Sequence, residues 1–336
     1  MSGQIGTMTK RLTNSLVAAA MVLATAGAAT ASERPPQLIL VSFDGAHDNA
    51  LWDRARRIGA ETGARFTFFL SCTFLMSRSD RAAYQGPHQK RGYSATGFAQ
   101  SDREVQIRLN HVWQAHLAGH EMASHACGHF DGADWTKADW AAEFAAFDRT
   151  LLNAWKHAGY GGLEPGGWAD FVSNDIRGFR APYLSTGPGL TAALKGHGFR
   201  YDASLVTKGP AWPDRNAGLP RFGLPLIPEG PAGKRVIAMD YNLFMRHSRA
   251  EETPEKRAEF ADRTLAAFRA AFHAQYEGER VPLQLGFHFV AMNGGAYWDA
   301  LETFLKETCA KPDVACVTYS DALERTGTEK ADNSAF

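Results

Sequence analysis

The sequence predicts an α/β fold in one domain, with short buried strands alternating with helices in a parallel sheet or barrel. Three observations carry this reading. Apolar runs rich in branched residues recur between residues 37 and 319, separated by segments of helical character. Charged or titratable residues follow these runs: Asp44, His125, Arg180, Asp202, Asp240 and His288. No internal repeat and no linker interrupts residues 35–323, leaving 324–336 as a tail.

The elements follow in chain order. Residues 1–31 are expected to be a signal peptide, since Lys10 and Arg11 precede an apolar run at 16–26 and Ala29-Thr30-Ala31 supplies the small residues of a cleavage site. That run falls short of the ~20 residues of a membrane span. The mature chain is therefore expected to begin at Ser32, to span no membrane and to be exported to the periplasm or beyond. Residues 37–43 read as a buried strand and 49–62 as a helix stopped by Gly63; 66–70 form a second strand. Residues 71–102 are a long polar and aromatic loop, expected to fold over a site. A helix at 104–118 and a strand edge at 121–124 follow, and Thr136-x-x-Asp139 resembles a capping box opening a helix to about His157. Residues 161–174 read as glycine-rich loop, 187–196 as a short helix and 199–201 as a short strand. The prolines of 210–231 predict little regular structure. Strands at 236–239 and 283–287, helices at 253–276 and 297–308, and a last strand at 315–319 complete the chain.

Composition narrows the class. The 336 residues are 45% hydrophobic and 21% charged, and 36 basic side chains balance 36 acidic ones. That balance argues against nucleic acid or an anionic membrane as the main partner. The four cysteines are expected to be structural: Cys309 and Cys316 bracket a short loop, and Cys72 and Cys127 each follow a strand.

The chemistry centres on residues 119–131. His120 and His125 are five apart, which breaks the His-Glu-x-x-His zinc-protease pattern. His125 and His129 are four apart and share a face of a helical turn, so both can reach one metal ion. A metal with an open position acidifies a water and polarises a carbonyl. Asp44 fits the general base and His288 the acid that protonates the leaving group. Arg180 can hold Asp44 ionised, and Asp202 or Asp240 can orient the His288 ring. Together these parts describe metal-assisted hydrolysis of an amide or ester.

The motifs resemble those of the polysaccharide deacetylases of carbohydrate esterase family 4, the NodB-homology fold. The resemblance rests on Ser42-Phe43-Asp44-Gly45-Ala46, His125-Ala126-Cys127-Gly128-His129, Arg180-Ala181-Pro182-Tyr183 and Leu285-Gly286-Phe287-His288. Residues 199–204, Trp212-Pro213 and 317–319 look most like the chitin deacetylase branch. The resemblance implies a distorted β/α barrel of about seven strands, a divalent metal, usually zinc, and an acetylated glycan as substrate, its N-acetyl groups in preference to O-acetyl. It makes Asp44 the base and His288 the acid. It lends the backbone N–H at Tyr183 to the oxyanion, places Leu285 against the acetyl methyl and puts Trp212 at the substrate site. One position departs: the family's third metal ligand, an aspartate, is Gly45 here. Asp48, His47 or Asp44 itself is the expected substitute, and restoring an aspartate at 45 is expected to tighten the metal.

Two other readings compete. Gly45 favours a non-catalytic carbohydrate-binding homologue, against which intact Asp44, Arg180 and His288 speak. The spacing His129-x-Asp131 with a distant His288 mimics the triad of an iron oxygenase. That triad usually sits on an all-β jelly roll, which the helices between these strands argue against.

Overall fold

Alternation along β1 (Gln37–Gly45) divides the protein into two cores in the computed structural model, which describes residues 1–4 and 34–332. Ile39, Val41 and Phe43 pack on one face with the helices, whereas Leu38 and Leu40 belong to a separate inner cluster. The strands that follow are β2 (Thr67–Leu70), β3 (Glu121–Ser124), β4 (Gly178–Phe179), β5 (Tyr201–Thr207) and β6 (Arg221–Glu229). Then come β7 (Lys234–Ile237), β8 (Leu283–His288) and β9 (Val314–Cys316). They lie in the order β7-β6-β5-β4-β3-β2-β1-β8, with β9 on the start of β1. Every pairing is parallel except β6 with β7.

The sheet closes on itself at one seam. Met239, just past β7, bridges Gly286 of β8, whose N–H donates to the Ala238 carbonyl at 2.8 Å. A Cβ at Gly286 would stand 3.1 Å from Met239 Cε and 3.2 Å from Leu224 Cδ2, so a bare backbone is what lets the seam approach. The architecture is the expected distorted β/α barrel, with nine strands among the described residues in place of about seven.

Helices cover the outside. They are α1 (Asn49–Thr62), α2 (Asp102–Leu117), α3 (Lys137–His157), α4 (Trp168–Asn174) and α5 (Leu190–His197), then α6 (Asp240–Ser248), α7 (Arg257–Glu277), α8 (Met292–Thr308) and α9 (Tyr319–Asp332). Local signals set their ends. Asp48 caps α1, Gly63 ends it at φ 73°, and Thr136 with Asp139 closes the capping box of α3. Tyr319, Ala322 and Leu323 of α9 join Tyr201 and Phe222 in the inner cluster. Of the three pairings that four cysteines allow, the structure has Cys72–Cys127 and Cys309–Cys316.

Four expectations needed correction. Residues 210–231 include β6, which pairs with β5 and β7 despite Pro225 and Pro228. Asp240 opens a helix that its strand-like flank concealed. Residues 168–174 of the presumed loop are α4, anchored by buried Trp168 and Phe171. The expected tail continues as helix to Asp332, since α9 buries Leu323 and Thr326. The expected signal peptide falls almost wholly outside the described residues.

Candidate active site

Strand register assembles the site. β1 and β8 pair Asp44 directly with His288, so base and acid candidates stand side by side at the strand ends. β3 and β4 pair Ser124 with Phe179, which sets His125 beside Arg180 one residue further on. There the Arg180 N–H donates to the Ser124 carbonyl at 3.0 Å. These residues border a cavity of about 570 Å³, lined in part by Asp44, His125, His129, Tyr183 and His288.

Arg180 organises one side. It is fully buried, its Nη1 donating to Asp44 Oδ1 and to Ser42 Oγ, both at 2.8 Å. Nη2 donates to the Tyr319 hydroxyl at 2.9 Å and Nε to the Ala203 carbonyl at 3.0 Å. The guanidinium also lies 4.2 Å from the Phe69 ring centroid. Burial alone would raise the Asp44 pKa, but Arg180, His125 and His288 outweigh it and hold the carboxyl below its ordinary value.

Asp240 organises the other side. Its Oδ1 faces His288 Nδ1 at 2.7 Å, and its Oδ2 accepts the His288 backbone N–H at 2.7 Å. Burial disfavours the imidazolium, yet Asp240 and Asp44 raise the His288 pKa above its usual value. The orienting partner is thus Asp240. Asp202, the alternative, is elsewhere: it accepts from the Ser204 hydroxyl and Arg221, and Ser204 Oγ in turn accepts the Ala181 N–H at 2.8 Å. Asp202 therefore supports the turn after Arg180 and does not line the cavity.

The two histidines are held as neutral imidazoles. Burial pushes His125 down to about 3 and lowers His129 as well. His125 Nδ1 lies 2.8 Å from the Arg180 carbonyl oxygen. A carbonyl only accepts, so Nδ1 carries the proton and Nε2 keeps its lone pair for a ligand. The rings stand 5.0 Å apart, and His129 Nδ1 is buried without a hydrogen-bond partner. Asp44 acts electrostatically on both. Two neutral imidazoles are a donor type that divalent ions take, and Asp44 adds negative charge nearby. Among the described residues no group of three or more His, Cys, Asp or Glu converges on one point.

The loop between the histidines is braced from three sides. Cys127 is bonded to Cys72 at the end of β2. The buried Glu143 of α3 accepts the N–H groups of Cys127 and Gly128, both at 2.9 Å, through Oε1. Tyr84 of the long 71–102 loop donates to the same carboxyl at 2.9 Å. Backbone strain concentrates here too: five of the ten described non-glycine residues with positive φ are Ala46, Ala126, His129, Tyr183 and Leu184. Such conformations cost free energy and persist where the surroundings enforce them, as at functional sites.

Other solved structures share the architecture. A candidate polysaccharide deacetylase from Mycobacterium smegmatis superposes with a TM-score of 0.54 at 17% identity, over 89% of this chain and 93% of its own. The chain has the polysaccharide deacetylase fold. An allantoinase superposes at 0.51 with 14% identity, over 86% of this chain and 90% of its own. A Bacillus subtilis peptidoglycan deacetylase mutant reaches 0.46 at 12% identity, over 89% and 95%. At these identities the likeness is one of fold. No family model and no curated protein matches the chain.

Within this deacetylase fold, three expected site residues besides Asp202 stand apart from the cavity. Asp48 caps α1, its Oδ1 accepting from Ala50 N at 2.8 Å and Leu51 N at 2.9 Å. Leu285 shares strand parity with Leu283 and Phe287 and is buried in the outer core, so it faces away from His288's side of the sheet. Trp212 is 39% exposed and does not line the cavity. Asp131, needed by the oxygenase reading, is exposed and bonded to Ser185 and Ala133. His47, one of the expected substitute ligands, lines the cavity, which also gains Phe74, Met239, Tyr241 and Val290. Phe74 was hidden in the long loop. Met239 and Val290 carry a signal only as flanks of Asp240 and His288.

Proposed function

We propose that the protein is an exported, divalent-metal-dependent deacetylase that hydrolyses acetyl groups, N-acetyl in preference to O-acetyl, from a polysaccharide or oligosaccharide. The observation that carries this reading is the register-paired Asp44 and His288, each with its own ionic partner, sharing one cavity with two neutral imidazoles. Asp44, kept ionised by Arg180, takes a proton from water as the oxygen adds to the acyl carbon. His288, kept protonated by Asp240, gives a proton to the nitrogen as the carbon–nitrogen bond breaks. The Tyr183 backbone N–H is the proposed donor to the oxyanion. His125 and His129 hold the metal, zinc in this proposal. When bound, that ion acts as a Lewis acid on the carbonyl and acidifies water.

The test is acetate release by the zinc-loaded protein from chitin oligomers, peptidoglycan fragments and acetylated xylan. His288→Ala is expected to abolish release and to retain its metal, because the acid need not touch the ion; loss of metal would make His288 a ligand instead. Gly45 supports a second reading, a carbohydrate-binding homologue without chemistry. Failure of the wild type to bind zinc, cobalt, manganese or iron at micromolar concentration would select that reading.

A further inference from the structure

The cavity beside His288 is larger and more apolar than an acetyl methyl requires. Its volume of about 570 Å³ lies in the range of sites that bury a whole small molecule. Beyond the catalytic groups its walls are Phe74, Leu184, Ile237, Met239, Phe289 and Val290. Apart from the aspartate, histidine and tyrosine side chains, only Thr96 and Asn242 bring polar groups to it. Sugar hydroxyls buried against such walls would exchange water for few partners, which weakens binding. Apolar surface placed there gains on the same exchange.

The apolar walls flank the general acid. Ile237 and Met239 come from the chain just before Asp240, and Phe289 and Val290 directly follow His288. Position 286, on the same face of β8 as His288, is a glycine, which lets the Met239 side chain pack close against β8 at the seam. At the mouth, Tyr183, Tyr241 and Val290 are 64%, 48% and 45% exposed. These three account for part of the small set of large hydrophobic side chains left in water, and a ligand would cover them.

We propose that the substrate presents to this cavity an apolar group larger than the acetyl methyl, an alkyl chain or aromatic ring next to the scissile amide or ester. The proposal takes its chemistry from the hydrolase reading above but its binding from the cavity alone. Two substrate series locate the group. One is N-acetyl, N-butyryl and N-hexanoyl glucosamine, which lengthens the acyl side. The other is ethyl, butyl and hexyl acetate, which lengthens the leaving group at nearly constant reactivity. With the zinc-loaded full chain, kcat/KM is expected to rise along one series by about fourfold per added methylene, the equivalent of about 0.8 kcal/mol. The series that rises identifies the side; a flat or falling profile in both overturns the proposal.

Calorimetric titration of His288→Ala with the same ligands separates the two readings. Tighter binding of the longer ligands without turnover by the wild type would sink the hydrolase reading and leave this inference standing. Equal affinities along both series would sink the inference whether or not the protein turns over. Val290→Trp, at the exposed edge, is expected to lower the hexanoyl-to-acetyl or hexyl-to-ethyl ratio. An unchanged ratio would show that the group binds outside this cavity.

Discussion

At the residue scale, two ion pairs divide the labour of Asp44 and His288. The base must be ionised, so activity is lost as pH falls through the Asp44 pKa, which Arg180 holds below the ordinary aspartate value of 3.8. The acid must be protonated, so activity is lost as pH rises through the His288 pKa, which Asp240 holds above the ordinary 6.5. Asp240→Asn removes the charge that sustains the imidazolium. Its kcat/KM profile is expected to lose its alkaline limb at lower pH and to fall on the order of 10²-fold at neutral pH. An unmoved limb would assign that titration elsewhere. Gly45 also looks different in the structure. Its φ is +85°, and a Cβ there would stand 3.4 Å from Phe74 Cε2. Gly45→Asp is therefore expected to cost about 1–3 kcal/mol of stability through its positive φ while the added carboxylate tightens zinc. Thermal unfolding with zinc dialysis checks this; unchanged zinc affinity would show that position 45 does not reach the metal.

At the element scale, the short strands are placed by their neighbours and the loops by cross-links. The two disulfides differ in reach. Cys72–Cys127 closes a separation of 55 residues and Cys309–Cys316 one of 7. Chain-entropy arguments make the first worth about 4 kcal/mol and the second about 2.5 kcal/mol. The Cys72→Ala/Cys127→Ala pair is therefore expected to lower the denaturation midpoint more than the Cys309→Ala/Cys316→Ala pair. It is also expected to weaken metal binding, because only the first bond braces the loop between His125 and His129. Equal midpoint losses with unchanged metal affinity would leave Glu143 and Tyr84 as the sufficient brace.

At the scale of the whole molecule, barrel closure decides whether the cavity exists. The seam joins Gly286 to Met239. Gly286→Val puts a branched side chain where Met239 and Leu224 already stand, and overpacking of this kind costs about 1–3 kcal/mol. The variant is expected to unfold at lower denaturant and to lose the chain-length dependence of ligand binding; wild-type behaviour in both would show that the seam flexes. Export belongs to this scale too. The exported protein is expected to begin at Ser32, and mass spectrometry finding an intact Met1 or Met8 terminus would rule out the signal peptide.

The sequence by itself determined the α/β alternation, the stop at Gly63 and the cap at Thr136, and the set of titratable residues at the strand ends. Those signals are local: periodicity, turn chemistry and residue type act within a few positions. What it left open is what pairing decides. Whether Asp202 or Asp240 orients His288 depends on the turn into α6, and a helix N-terminus after a strand-like run looks like the strand's end. Leu285 reads as a pocket residue by resemblance alone, whereas alternation along β8 turns it from the face of His288 into the outer core. Pro225 and Pro228 read as irregular until neighbours on both sides pair with β6. The apolar walls of Phe74, Met239 and Val290 come from three separate stretches of chain, and only the closed barrel brings them to one cavity.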